Sequence, residues 1–241
     1  MIEKPPLILL IIEGTYPWYR GGVSEWVYQY LRFFSKNKFH VLQIATDEFQ
    51  GLDPKQAIYP LTDNIETFTR VSPPESALEW KKSKEDWFTS INEKIKILDC
   101  DLVHVTNTGF AGWLGVKLSE IIGKPLVLTE HALDWKEVEM GAVALECGYK
   151  VPNTEQDKQH ISKIFKDIAQ EIYSKASQVI SVSRVNIPEQ INLGADNPVY
   201  IPNGISKEFT DGNKTRPEIP TIGWVGRCAE MKNPLRFFEV I

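Results

Sequence analysis

Cysteine is scarce in this chain. Three thiols, Cys100, Cys147 and Cys228, among 241 residues are too few and too scattered for a disulfide framework or a four-ligand zinc site. They read as reduced thiols of a cytoplasmic protein. Long apolar runs are missing as well. The run Leu7–Ile12 falls far short of the ~20 residues that a membrane span requires, and the segment ahead of it is too short for a signal peptide. Positive charge is in deficit. With 27 Lys and Arg against 32 Asp and Glu the net charge is −5, which gives no reason to expect nucleic acid as partner, because phosphate backbones select basic faces. Also absent are a G-x-G-x-x-G turn, a P-loop lysine, a serine or cysteine nucleophile elbow and a metal-ligand cluster. A nicotinamide-dependent oxidoreductase and an ATPase therefore lack support.

What is present is an alternation. Short runs rich in Leu, Ile and Val occur at Leu7–Ile12, His40–Ala45, Leu102–Val105, Pro125–Thr129, Gln178–Val182 and Val199–Ile201. Their scant polar alternation suits strands covered on both faces. Helical patterns lie between them at Val23–Ser35, roughly 75–98, Gly112–Ile122, Thr154–Lys175 and Val185–Leu193. Strand and helix in turn predict an α/β fold, a doubly wound parallel sheet with helices on both faces. After Pro202-Asn203-Gly204 the texture changes. Residues 206–220 are polar and broken by Gly and Pro, as in a linker, and Thr221–Val225 with the following "MKNPLRFFEVI" reads as the first βα unit of a second domain. The expected organisation is a first domain over 1–205, a linker over 206–220 and a truncated second domain over 221–241.

Doubly wound sheets bind ligands in the crevice at the carboxyl ends of their strands, so the loops there hold the candidates. The first is "EGTYPWYRGGVSEWVYQYL" at 13–31. Gly21 and Gly22 enter a helix, where free N–H groups and the positive end of the dipole make an anion seat; the alternative is a tight turn. The fourth strand ends in "VLTEHALDWKE", which places Glu130 and His131 at the crevice, both side chains expected to point into it. A lone histidine is more often structural, but a neutral imidazole at this edge suits hydrogen bonding to a sugar or phosphate. "SVSR" adds Ser183 and Arg184, with a helix cap and a solvated charge as their plain alternatives. "GWVGRCAEMKNP" sets Arg227 and Lys232 beside a helix start, two cations able to hold a diphosphate or simply a basic edge. Other features are set aside. Asp99-Cys100-Asp101 has a D-x-D form but precedes its strand, at the amino edge; His104 reads as a packed core histidine and His40 as surface; "KKSKEDW" at 81–87 reads as an exposed helix face.

In their order, "EGTYPWYRGGVSEWV", "TEH", "SVSR", "IPNGI" and "IGWVGRCAEMKNP" resemble GT-B glycosyltransferases of the family 4 type, the first motif most of all the Pel-type exopolysaccharide enzymes. The resemblance implies two facing Rossmann-like domains and a retaining, metal-independent transfer of a sugar from a nucleotide-diphosphate donor, a UDP-sugar, to a glycan or polysaccharide acceptor. It also implies roles. Gly21 and Gly22 approach the donor diphosphate, His131 lies beside the transferred sugar, Arg227 and Lys232 grip the diphosphate, and Asn203 marks the crossing between domains. No cofactor or metal is expected. The implied partners are the nucleotide sugar, the acceptor and a membrane-bound polysaccharide synthesis complex, met at the inner face of the membrane. Donor-binding glutamates of the family's second domain have no counterpart before Ile241, so this stretch alone is expected to be inactive. A non-catalytic glycan- or partner-binding domain is the rival reading.

Overall fold

β1 (Leu7–Glu13) divides its side chains between two cores. Leu9 and Ile11 enter one apolar cluster and Ile8, Leu10 and Ile12 the other, as the twofold period of a strand requires. β2 (Lys38–Ile44) repeats the pattern, with Leu42 and Ile44 on the first side and Phe39 and Val41 on the second. A strand apolar on both faces is stable only between two layers of helix, which is the architecture found in this computed structural model. It describes residues 4–46, 56–92, 95, 99–142, 144–145, 147–152, 154–205, 217–225 and 234–240.

The elements run β1, α1 (Gly22–Phe33), β2, β3 (Ile65–Val71), α2 (Trp80–Asn92), β4 (Leu102–Val105), α3 (Phe110–Ile122), β5 (Leu126–Glu130), α4 (Asp134–Glu139), α5 (Glu155–Lys175), β6 (Gln178–Ser181), α6 (Ile187–Asn192), β7 (Val199–Tyr200) and α7 (Pro234–Val240). The described strands form one sheet in the order β3-β2-β1-β4-β5-β6-β7, with every pair parallel. The doubly wound α/β expectation therefore holds. α1 covers one face through Val27 and Leu31. The other face carries the larger cluster, where Trp80, Trp87, Phe110 and Trp113 pack against Ile161, Phe165 and Ile172 of α5.

Six of these strands coincide with the apolar runs of the sequence, and β3 does not. That strand carries Glu66, Thr67, Thr69 and Arg70 and lies at the sheet edge, so it lacks the continuous apolar run of a central strand. α2 begins only at Trp80, after Pro73-Pro74. Asp101 lies at the amino edge as expected, its Oδ2 accepting from the Leu7 N–H at 2.9 Å.

By its contacts the chain divides into two units, Met1–Asn203 and Gly204–Ile241. Within the second, α7 is helical, but Thr221–Val225 is in no strand. The strand expected there has no hydrogen-bonding neighbour among the described residues of this unit, and Ile222 and Val225 are 72% and 99% exposed.

Candidate functional site

The strand order turns at β1, whose two neighbours are β2 and β4. At such a switch point the loops leaving the two central strands part and open a crevice. Two stretches leave it here, Gly14–Gly21 after β1 and Thr106–Gly109 after β4.

The first loop is firmly held. Gly14 takes φ 120°, a left-handed conformation that glycine adopts without steric cost, and its carbonyl accepts from Gln43 Nε2 at 2.6 Å. Tyr16 is buried, and the Pro17 carbonyl accepts from the Tyr59 N–H at 3.1 Å. Arg70 of β3 lies 4.2 Å over the Trp18 ring. The loop ends in Gly21, extended at φ −168° and ψ 163°, and α1 begins at Gly22 with no side chain capping it. The Tyr59 hydroxyl reaches Glu25 and the backbone of Gly21.

Nothing among the described residues asks for glycine at position 22. A Cβ built there meets no atom within 4 Å, and at Gly21 the nearest is Ser24 Oγ at 3.9 Å. Gly109 differs: a Cβ there would strike the Asp134 carboxylate and come within 2.7 Å of Glu13 Oε1. Crowding by the protein explains Gly109 and leaves Gly22 unexplained.

Glu130 and His131 leave β5 in opposite directions, because consecutive residues of an extended chain face opposite sides. The expectation that both point into the crevice is therefore corrected for Glu130. Its carboxylate is fully buried and accepts from Thr108 Oγ1, the Tyr173 hydroxyl and Gln190 Nε2, each at 2.6 Å. Burial raises its pKa while these three donors pull it back. Glu130 is a structural hub joining the β4 loop, α5 and α6.

His131 turns toward α1, its ring 4.7 Å from that of Trp26 at 69°. Its Nε2 is shut off from solvent and has no hydrogen-bond partner among the described residues. Burial lowers its pKa to about 4, so the imidazole is neutral at pH 7. Two residues back, Thr129 bonds His104 Nε2 at 2.8 Å, and His104 Nδ1 meets the Tyr30 hydroxyl at 2.9 Å. His104 is buried in the core, as the sequence suggested.

The remaining candidates are dispersed. Ser183 precedes a 3-10 turn over Arg184–Asn186, caps nothing with its side chain, and its carbonyl accepts from Ser181 Oγ at 2.8 Å. Arg184 is exposed, its guanidinium 4.6 Å over the Tyr200 ring. Asn203 is exposed. Arg227 and Lys232 lie outside the described residues.

Several polar groups at this edge were missed by sequence reading. Glu13 Oε1 accepts from the Ala111 N–H at 2.6 Å, and Asn107 Nδ2 donates to Asp134 Oδ2 at 3.2 Å; all three side chains are buried. Only the switch-point rule applied to the strand exit "VHVTNTG" would single them out, and the stretch Thr106–Gly109 carries no charge to draw notice. The connection from α4 to α5 also crosses this edge. Ala144 and Lys150 form an antiparallel bridge, and the Cys147 carbonyl accepts from the Thr46 N–H at 2.9 Å. Burial and the Glu13 carboxylate push the Cys147 thiol up. Beyond β2 and β3, Thr46, Pro73, Pro74, Ser76, Tyr149 and Lys150 line a cavity of about 540 Å³. Among the described residues no group of three or more His, Cys, Asp or Glu is placed to hold a metal ion, and no helix is long and apolar enough to cross a membrane.

The family described as domain of unknown function DUF3492 matches residues 6–93 and 87–198. The chain belongs to the DUF3492 family. No curated protein matches it in sequence. Among solved structures, sucrose-phosphate synthase from Thermosynechococcus elongatus superposes with a TM-score of 0.51 at 15% identity, over 81% of this chain and 47% of that one. The DUF3492 chain thus shares the fold of that enzyme's matched part and spans about half of its length. A UDP-glucose: anthocyanidin 3-O-glucosyltransferase in complex with UDP is a looser match, with a TM-score of 0.44 at 11% identity, over 90% of this chain and 56% of that one. The likeness to the synthase is one of fold, a parallel α/β sheet with helices on both faces.

Proposed function

We propose that this DUF3492 chain is the acceptor-side part of a retaining, metal-independent glycosyltransferase. It moves a sugar from a nucleotide-diphosphate donor, a UDP-sugar, to a glycan or polysaccharide acceptor. The observation that carries the reading is Gly22: a glycine with free space above it, at the uncapped start of a helix, beside the point where the strand order turns. A position that needs neither positive φ nor close packing, yet lacks a side chain, suits the close approach of a ligand. The first-turn N–H groups and the helix dipole favour an anion there.

The chemistry follows from charge. Transfer from a nucleotide sugar builds negative charge on the departing diphosphate, so fixed N–H donors and cations lower the barrier. The glycine entry supplies N–H groups. Arg227 and Lys232 are the proposed cations, and 1–205, 206–220 and 221–241 are the proposed domain, linker and second-domain segments. His131, neutral at pH 7 and with an Nε2 unpaired among the described residues, is the proposed hydrogen-bonding partner of a hydroxyl on the transferred sugar, with Asn203 at the crossing between domains. In a retaining transfer of this kind the acceptor attacks on the face the nucleotide leaves, so no paired carboxylates of the glycosidase type are required. The cavity walled by Pro73, Pro74 and Tyr149 offers the acceptor apolar faces for sugar rings and hydroxyls at its rim. The resemblance further supports a cytoplasmic site of action at the inner membrane face, beside a polysaccharide synthesis complex.

The test is titration of the labelled chain with UDP, followed by amide NMR. Binding near or tighter than about 1 mM, roughly −4 kcal/mol, should shift the amides of Gly22, Val23 and Ser24. Gly22→Val should weaken it at least about tenfold, a loss of ~1.4 kcal/mol. Amides that stay still at saturating UDP, or a Gly22→Val variant that binds equally well, would return the glycines to a plain turn.

A further inference from the structure

The proposed function leaves one group unexplained: a half-buried tryptophan on the helix that starts at the glycine pair. Trp26 lies one turn beyond Gly22 and meets three other rings. It stacks on Tyr30, one helical turn further on, at 4.8 Å and 16°. It meets His131 edge to face at 4.7 Å and 69°, and His104 at 5.9 Å and 87°. Edge-to-face contacts are directional, because the ring quadrupole favours an edge set against a face over other arrangements. A neighbour held in this way is held in orientation as well as in place.

The base beneath Trp26 is rigid. Tyr30 bonds His104 Nδ1, and Thr129 bonds His104 Nε2, so both nitrogens of the His104 ring are engaged and the ring is fixed. Thr129 and His131 lie two residues apart at the strand end and share a face, which brings His131 over the same cluster. The two histidines differ in their partners. His104 is satisfied at both nitrogens, whereas His131 Nε2 is enclosed and has no partner among the described residues. Buried polar atoms without a partner are rare enough to ask what completes them.

We propose that Trp26 is a positioning residue that fixes the plane and tautomer of the His131 imidazole, so that Nε2 is kept unpaired by the protein and reserved for a hydroxyl of the bound sugar. The Tyr30–His104–Thr129 chain is the base that keeps Trp26 in place. The inference rests on the reading of His131 as the sugar-contacting residue. It also ties the two ends of the proposed donor seat together, since one helix carries both the glycine entry and the indole that orients His131.

The titratable groups around His131 are His104 from β4, Tyr30 from α1 and Glu130 beside it in sequence, which faces away toward Tyr173 and Gln190. Burial is what keeps the His131 ring neutral down to about pH 4. Trp26 is part of that burial.

The experiment follows the His131 ring by ¹⁵N and ¹³C NMR in the full chain, free and with UDP, for the wild type, Trp26→Phe and Trp26→Leu. The wild type should show one tautomer and a midpoint near 4. Trp26→Leu should mix the tautomers and raise the midpoint by about one unit or more, toward the solvent value; Trp26→Phe, which keeps an aromatic ring, should restore most of the wild-type behaviour. A His131 ring unchanged by Trp26→Leu would overturn the proposal. If Trp26→Leu does not fold, Tyr30→Phe, which drops only the hydroxyl that holds His104, gives the same measurement: mixed tautomers at His131 support the proposal and a single unaltered tautomer overturns it. The free-protein arm does not involve UDP, so a failure of the transferase reading appears separately, as silence at the Gly22 amide.

Discussion

The Tyr173 hydroxyl donates to Glu130 Oε2 at 2.6 Å across 43 residues of chain, tying the longest helix to the end of β5. The carboxylate so held is fully buried, and its other partners come from the β4 loop and α6. A change at this hub is therefore felt in three elements at once.

Tyr173→Phe removes one donor and little volume. A hydrogen bond to a charged group is worth about 1.5–3 kcal/mol, and the variant should lose stability in that range in urea unfolding. An unchanged midpoint would show that Thr108 and Gln190 alone satisfy the carboxylate.

Two glycine substitutions should behave in opposite ways. Gly109→Ala pushes a methyl against the Asp134 and Glu13 carboxylates and should cost about 1–3 kcal/mol as an overpacked site. Gly22→Ala enters open space at a helix start. It should leave stability equal or raise it by up to about 1 kcal/mol, through loss of unfolded-state freedom. Thermal melts of the two variants give the comparison directly.

His104 and His131 together predict an acid-sensitive fold. Burial lowers each to about 4, assisted at His104 by the neighbouring His131, whereas the unfolded rings take up protons near 6.5. Between those values the unfolded chain binds more protons than the fold. Stability is therefore full above pH 6.5 and falls as the pH drops toward 4. Each ring accounts for at most roughly 3 kcal/mol of that loss. His104→Gln should be less stable than the wild type at about pH 7 but lose less between there and about pH 4.5, as read by urea titration at both values.

Exposed ion pairs should matter little. Lys136 and Glu189 meet at 2.6 Å with side chains 42% and 34% exposed, and Lys136→Met should cost under ~1 kcal/mol. A larger loss in urea unfolding would mean that the pair does more to hold α4 against α6 than its solvent-exposed setting allows.

How much of this was legible in the sequence depended on burial pattern. Leu7–Ile12 and Leu102–Val105 were readable because a strand covered on both faces is apolar throughout, and the helix of α5 because Thr154 caps it through the Asp157 N–H at 3.1 Å. β3 was not, since an edge strand alternates and its Glu66 and Arg70 resemble loop residues. Glu130 and His131 were correctly assigned to a strand end, but their divergence depends on which face each position takes, and the register that sets this comes from pairing with β6. Trp26 was hidden for a different reason: its role rests on Tyr30, His104 and His131, which come together only through tertiary packing. The absence of a strand at Thr221–Val225 has the same origin. An apolar run specifies a strand only where another strand receives its hydrogen bonds.

The strand order has a consequence for synthesis. β1 leaves the ribosome before β2 and β4, yet it ends up between them. A nascent chain released as far as Val71 already contains β1, β2 and β3, but one flank of β1 is still bare. That flank stays open until Leu102–Val105 emerges and pairs with it. During this interval a strand apolar from Leu7 to Ile12 has a free edge for another polypeptide to join, so translation that stalls between β3 and β4 yields a fragment prone to clump. A pause placed after β4 exposes far less of it.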